Sequence, residues 1–220
     1  MALKTYYQKR AKEYDLVYQK AERQNDLKQL HHYLETAFAR KNVFEVACGT
    51  GYWTTTIAKT CQSILATDIN EAVLEIARTK EYGKMPVDFQ VLDLWQLKGA
   101  TASYDAVFGG FIWSHILTTD LPQFLAILKS QLTENGELIF IDNKYVAGSN
   151  TPIARTDAGG NTYQIRKLQS GAEYEVLKNF PTKAEIEILV KHLDFEMKWI
   201  ELEYYWVLEL KKSFKGLKLA

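Results

Sequence analysis

The chain has 220 residues, 47% of them hydrophobic, enough to bury one sizeable core at the upper end of ordinary single-domain size. Its 27 basic and 27 acidic residues cancel, so no global field draws in nucleic acid or an anionic membrane, and a small, locally recognised partner fits better. No apolar run reaches the roughly 18 to 20 residues of a membrane span, and the start, MALKTYYQKRAKEYD, lacks an apolar signal core.

Residues 6 to 39 are charged and aromatic, with Leu27, Leu30, Leu34 and Phe38 at helical spacing, and predict helices packed beside a core. From residue 43 the pattern becomes short β-branched or aromatic runs: VFEVA, SILAT, VDFQVL, YDAVFGG and GELIFID. Helical patterns such as 70 to 80 and 120 to 131 separate them. Strand and helix in alternation predict right-handed crossovers and a parallel sheet covered on both faces.

After the last of these runs, NTYQIRKL and AEYEVLKNF flank a Gly-containing turn and predict an inserted β-hairpin. PTKAEIEILVKHL then predicts a helix, with Thr182 and Glu185 spaced as a capping box. FEMKWI and YYWVLEL lie too close together for a crossover and predict an antiparallel hairpin at the sheet edge. One domain over 1–220 results: an N-terminal helical cover (1–40), a ligand-binding core (41–142), a substrate-side insertion (143–180), and a final helix and hairpin (181–220). The basic KKSFKGLK end reads as a solvated terminus. Cys48 and Cys61 show no metal-type spacing and are expected to be free thiols in a reducing, cytoplasmic setting.

In VFEVACGTGYWT, Gly49 and Gly51 follow a strand and let backbone approach a ligand closely. Asp68 ends the next strand, where an acid can accept hydrogen bonds from both hydroxyls of a ribose; an Asp capping the helix that begins near Asn70 is the plainer account. A nicotinamide dinucleotide would use both features, but its fingerprint needs a third glycine where this chain has Thr54, and Glu45 would oppose a pyrophosphate. A cationic group, such as an α-amino group, would suit Glu45.

At these positions the chain resembles the class I S-adenosylmethionine-dependent methyltransferases of the small-molecule kind. Their first motif, acid-x-Gly-x-Gly-x-Gly, is similar to EVACGTG, with Ala47 in place of the first glycine, a departure read as mild. The resemblance implies a Rossmann-like, doubly wound α/β fold: a mostly parallel seven-stranded sheet with an antiparallel edge hairpin. It also implies that Glu45 faces a cavity near the amino group of S-adenosyl-L-methionine, that Ala47, Gly49, Gly51 and Trp53 border the cofactor, and that Asp68 and Ile69 hold its ribose side. Asp93 and Leu94 would flank the adenine, with a turn cap as the rival role for Asp93.

The same resemblance places FGGFIWSHI beside the reactive sulfonium, with Gly109 on the cofactor and Phe111 and Trp113 lining the acceptor pocket. His115 is the candidate general base, against an equal case for a structural histidine. Tyr6, Tyr7 and Tyr14 resemble the family's aromatic lead-in and would close over cofactor and acceptor; aromatic packing of a helix onto the sheet is the rival account. In the insertion, Arg155, Tyr163, Arg166 and Tyr174 are candidates to contact an acceptor, the arginines matching a carboxylate or phosphate. The Asp/Asn-Pro-Pro-aromatic pattern of nucleobase amine methyltransferases is missing from this segment. The expected partner is thus a small-molecule methyl acceptor, with no nucleic acid, membrane or metal, and a homodimer stays open. A non-catalytic cofactor-binding module and an NAD-dependent oxidoreductase are the alternatives.

Overall fold

The computed structural model describes residues 2–97 and 103–212. Its strands in chain order are β1 (Asn42–Val46), β2 (Ser63–Asp68), β3 (Val87–Val91), β4 (Tyr104–Gly110), β5 (Leu132–Asn143), β6 (Arg155–Thr156), β7 (Thr162–Lys167), β8 (Glu173–Leu177), β9 (Phe195–Glu201) and β10 (Tyr205–Lys212). The helices are α1 (Ala2–Arg10), α2 (Gln24–Ala37), α3 (Thr54–Ile57), α4 (Glu71–Ala77), α5 (Leu121–Gln131) and α6 (Lys183–Val190). A 3-10 stretch, Ala11–Gln19, continues α1.

Seven strands form one sheet in the order β3-β2-β1-β4-β5-β10-β9, and β6-β7-β8 form a separate three-stranded sheet. The first five are parallel, in register Phe44 to Leu65 on one side and Phe44 to Val107 on the other. Only residues 202–204 join β9 to β10, too few to cross over the sheet, so the pair is antiparallel as predicted, with β10 inserted next to β5. The α/β doubly wound architecture and the edge hairpin are therefore as the sequence implies. The insertion holds the predicted hairpin, with Arg166 opposite Tyr174, and gains a short third strand in which Arg155 pairs with Tyr163. The capping box of α6 forms: the Glu185 amide donates to Thr182 Oγ1, and the Thr182 amide to Glu185 Oε2 at 2.7 Å.

Two apolar layers sandwich the sheet. Leu27, Leu30, Leu34 and Phe38 of the N-terminal helical region pack with Val43, Ile57 and Ile139 on one face. Phe124, Leu125 and Leu128 of α5 pack with Phe44, Val107 and Phe140 on the other. Each such fully buried side chain contributes about 1.5 to 3 kcal/mol. The order reverses at β1, because the chain moves outward to β2 and β3 and then returns to β4. That reversal opens a crevice beyond the carboxyl ends of β1 and β4, where ligands collect in open α/β sheets. No helix among the described residues is long and apolar enough to cross a membrane. The KKSFKGLK segment lies almost wholly outside the described residues.

Candidate functional site: two joined cavities

A cavity of about 350 Å³ occupies the crevice, walled by the loops after β1, β2, β3 and β4. Ala47 and Gly49 from the first loop lie on its wall, with left-handed backbone angles (φ 52° and 58°). Ala47 carries a Cβ where glycine is favoured, so its departure from the glycine motif strains the backbone by about 1 to 2 kcal/mol rather than being mild. Gly51 plays a different part. A Cβ there would run into the Tyr82 hydroxyl and stand 3.1 Å from the Ala77 Cβ, so it packs the loop on α4 and is not a cavity wall.

Asp68 enters the cavity from the end of β2. Its Oδ2 accepts from the Gly49 amide at 3.0 Å and its Oδ1 from the Asn70 amide at 2.9 Å. Burial pushes its pKa up, and the backbone amides of Asn70, Gly49 and Ile69 pull it back. Each oxygen retains acceptor capacity toward the cavity, so a role in loop geometry coexists with room for a donor ligand. Asn70 Oδ1, on the same wall, is buried with no hydrogen-bond partner, a position that a ligand donor would satisfy. Asp93 also lines the cavity while its Oδ1 caps the short turn at Leu94–Gln96 by accepting from the Trp95 amide. Ile69, Val73, Leu94 and Ile112 supply apolar surface around these acids.

Glu45 behaves otherwise. It is 1% exposed and is not a wall of the cavity. It sits one residue inside the end of β1, and strand alternation turns it to the face opposite Phe44 and Val46, under α3, while Ala47 reaches the cavity from the loop beyond the strand. There its Oε2 accepts from the Thr54 hydroxyl at 2.7 Å, and burial pushes its pKa up to about 8. Gly109 is likewise displaced: a Cβ on it would meet Ile112 and Phe140 within 3 Å, and the neighbouring Gly110 forms the wall instead. Trp53 is a core residue, set edge-on against Tyr18 and Tyr52. Trp113 is 1% exposed between Phe140 and Trp206, so it does not line the acceptor side.

A second cavity, of about 490 Å³, adjoins the first. Tyr7, Tyr14, Phe111 and His115 belong to the walls of both. Phe111 holds this junction with a left-handed backbone (φ 60°), its amide donating to the Ile141 carbonyl at 2.8 Å. A non-glycine residue in that region marks strain of the kind found at functional sites. The Tyr14 ring stands beside Gly49, 3.8 Å from where a Cβ would be, and burial raises its pKa beyond the usual tyrosine range.

His115 Nδ1 lies 2.6 Å from the Leu177 carbonyl, which can only accept, so Nδ1 carries the proton. Nε2 is therefore the acceptor, at 2.7 Å, for the Tyr7 hydroxyl. Burial, then the charges of Lys178 and Arg166, hold the His115 pKa well below its ordinary value, so the ring is neutral. Arg166 Nη1 donates weakly to the Tyr7 oxygen at 3.4 Å. The result is a hydrogen-bonded chain from the cavity junction through Tyr7 to a neutral imidazole.

The insertion meets the second cavity through Gln164, Arg166 and Lys178. Lys178 donates to Asp142 Oδ1 at 2.8 Å and to Ser114 Oγ at 2.5 Å, a buried ion pair that ties the insertion to the end of β5. No sequence signal marks this pair, since the partners are separated by strand order and not by a motif. Arg155 and Tyr163 are not cavity walls: Arg155 is exposed, bidentate to Glu175, and stacked 3.6 Å from the Tyr163 ring. Tyr163 lies three strand residues before Arg166 along β7, about 10 Å at the usual rise, and Arg155 is its cross-strand partner on β6. Tyr174 packs on Tyr6, and with Leu168 and Val176 they clamp α1 to β8; of the two tyrosines, Tyr6 also reaches the second cavity. Among the described residues, no group of His, Cys, Asp and Glu is arranged to hold a metal, and Cys48 and Cys61 are free and buried.

Residues 43–136 match the family model described as a methyltransferase domain. Over 194 residues the chain is 24% identical to an rRNA adenine N-6-methyltransferase of Limosilactobacillus reuteri, covering 81% of this chain and 77% of that protein. The fold is similar to that of the DhpI–SAH complex, with a TM-score of 0.77 and 22% identity over 97% of each chain. It is also similar to the DhpI–SAM–HEP complex, again with a TM-score of 0.77 and 22% identity, over 94% of each.

Proposed function

We propose that this chain, a class I S-adenosylmethionine-dependent methyltransferase, methylates a small-molecule acceptor that occupies the second cavity. One observation carries the reading: a cavity bearing a ribose-type carboxylate shares four walls, Tyr7, Tyr14, Phe111 and His115, with an adjoining chamber. The unpartnered Asn70 Oδ1 and the free acceptor capacity of Asp68 fit S-adenosyl-L-methionine, and DhpI has been solved with both SAM and SAH. When bound, S-adenosyl-L-methionine supplies an electrophilic methyl group.

In this reading Asp68 accepts from the ribose hydroxyls and Asp93 with Ile69 and Leu94 encloses the adenine. Ala47 and Gly49 admit the methionine part against backbone, and Tyr14 closes over it. Phe111 and Tyr7 hold the acceptor at the junction and exclude water, which is most of what an in-line methyl transfer asks of a protein. Where the accepting atom carries a proton, Tyr7 passes it to His115 Nε2, which is unprotonated, although burial and the charges of Lys178 and Arg166 make this imidazole a weak base. The division into N-terminal cover, core, insertion and closing hairpin is supported by the same geometry. The cover and insertion both wall the second cavity, and no residue of 143–180 lines the first.

The test is transfer of a labelled methyl group to a panel of small acceptors and, in parallel, to rRNA. Small-molecule labelling supports the reading. The similarity to an rRNA methyltransferase favours nucleic acid as the second reading, and labelled rRNA alone would establish it. Binding of S-adenosylhomocysteine without turnover of either class would leave the non-catalytic module.

A further inference from the structure

The protein as a whole is neutral, yet its second cavity is not. Arg10, Lys20, Arg23, Arg166, Lys167 and Lys178 lie on its walls, against Glu13 as the acid among them. Lys178 is neutralised by Asp142, and Lys20 donates to the Ser149 carbonyl. The guanidiniums are different. Arg23 is only 5% exposed; its Nε donates to Ser149 Oγ at 3.0 Å and its Nη1 to Asn143 Oδ1 at 2.9 Å, and it stacks near Tyr204 and Tyr205. Arg166 donates through Nε and Nη2 to Gln164 Oε1 and through Nη1 to Tyr7. Gln164 is itself fixed, donating to the Thr151 carbonyl at 2.5 Å. Among the described residues, neither guanidinium makes a direct ion pair: Glu22 reaches Arg23 only through the Ser149 hydroxyl, which donates to Glu22 Oε1 at 2.8 Å, and Arg166 has neutral partners.

Burying a cation without a counter-charge is costly, and proteins ordinarily pair such charges. Here neutral side-chain oxygens hold each guanidinium in place. Each retains donors for a further acceptor, because a guanidinium offers five and these contacts use two or three. Such a pair of preset forks in a half-enclosed chamber matches a compact oxyanion, and the low-dielectric walls concentrate the field.

We infer that the acceptor carries an oxyanion, a phosphate-type group or a carboxylate, which binds against Arg23 and Arg166 and so selects the substrate by charge. This rests on the second cavity being the acceptor site. Arg10 sits over Tyr6 and Tyr14 and strengthens the field from the α1 side. The anion anchors the acceptor, while the junction at Tyr7 and Phe111 presents the atom to be methylated.

Calorimetry of the full chain saturated with S-adenosylhomocysteine, titrated separately with inorganic phosphate and with acetate, tests the anion site. At least one should bind, more weakly as salt rises, and Arg23→Met or Arg166→Met should lower that affinity tenfold or more. Arg166→Lys should recover part of the loss, and S-adenosylhomocysteine affinity, unchanged within a few-fold, shows that the variants fold. Phosphate binding over acetate assigns a tetrahedral anion, and the reverse assigns a carboxylate. Absence of anion binding, or binding that the substitutions leave intact, overturns the inference. Methyl transfer to matched acceptors with and without the anionic group separates the anion from the cavity that holds it. Turnover of the uncharged acceptor that is lost on filling the chamber by Gln164→Trp keeps the cavity as the acceptor site and removes the anion. Turnover unaffected by Gln164→Trp removes the cavity itself.

Discussion

Thr54, at the position where a dinucleotide-binding loop would carry its third glycine, donates its hydroxyl proton to the buried Glu45 carboxyl at 2.7 Å. The two residues that argue against a nicotinamide cofactor in the sequence are thus one hydrogen-bonded unit under the glycine loop. Its acid is held largely in the protonated form at neutral pH, with a pKa pushed up to about 8 mainly by burial, against the pull of Thr54 and with a further push from Asp68.

That unit sets a pH dependence of stability. Unfolded, Glu45 releases its proton near its ordinary value, roughly 4.3; folded, it keeps the proton to about pH 8. Between these values the folded state binds more protons, so stability falls as pH rises through the window and levels off above it. Glu45→Gln should abolish this slope, gaining on the parent by up to about 3 kcal/mol at pH 7, a gap that narrows to about 1 kcal/mol at pH 5. Urea denaturation across pH 5 to 9 measures it. Parallel curves would mean that Glu45 is ionised in the folded protein.

Asp68→Ala should weaken S-adenosylhomocysteine binding by about 1.5 to 3 kcal/mol, the range for hydrogen bonds to a charged group, while the fold survives. Calorimetry with a circular-dichroism control decides. Wild-type affinity in a folded variant would leave Asp68 with only its loop amides, Gly49 and Asn70, to hold.

Ala47→Gly relieves a left-handed alanine on the cavity wall. Thermal denaturation should show a gain on the order of 1 kcal/mol, with S-adenosylhomocysteine affinity unchanged within a few-fold. A loss of stability would indicate that the Ala47 methyl packs more than it strains.

His115→Phe and Tyr7→Phe should each lower kcat by about 10²-fold or more for acceptors whose nucleophilic atom carries a proton, with S-adenosylhomocysteine affinity preserved. An acceptor that attacks as an anion should be spared, because it has no proton to lose. Equal losses for both kinds of acceptor would make the pair a positioning device and not a proton path.

Lys178→Met leaves Asp142 buried without its cation and should destabilise the protein by about 3 to 5 kcal/mol. The double variant Lys178→Met, Asp142→Asn should regain much of that. Denaturant titration of the two single variants, Lys178→Met and Asp142→Asn, and of the double variant measures the coupling, and additive losses would show that the ion pair contributes no more than its separate contacts.

The sequence by itself determined the layered architecture, because period-2 and period-3.6 patterns, the capping box at Thr182 and the short link between β9 and β10 are local consequences of covalent geometry. It also marked Asp68, Asp93, Ala47 and Gly49, since residues at strand tips reach the crevice whatever the packing. The tertiary structure decided what depends on facing and distance. One position along a strand reverses the side that a residue meets, which turned Glu45 under α3 and put Gly110 on the wall in place of Gly109. On the inserted hairpin, Gln164 and Arg166 share the face of β7 at the cavity, while Tyr163 and its β6 partner Arg155 lie outside it. Arg23 and Arg166, which carry the charge of the second cavity, come from the approach to α2 and from the insertion, and the Lys178–Asp142 pair beside them joins the insertion to β5. No spacing in the chain announces such a meeting, because strand order and the docking of the insertion, rather than local pattern, bring them together.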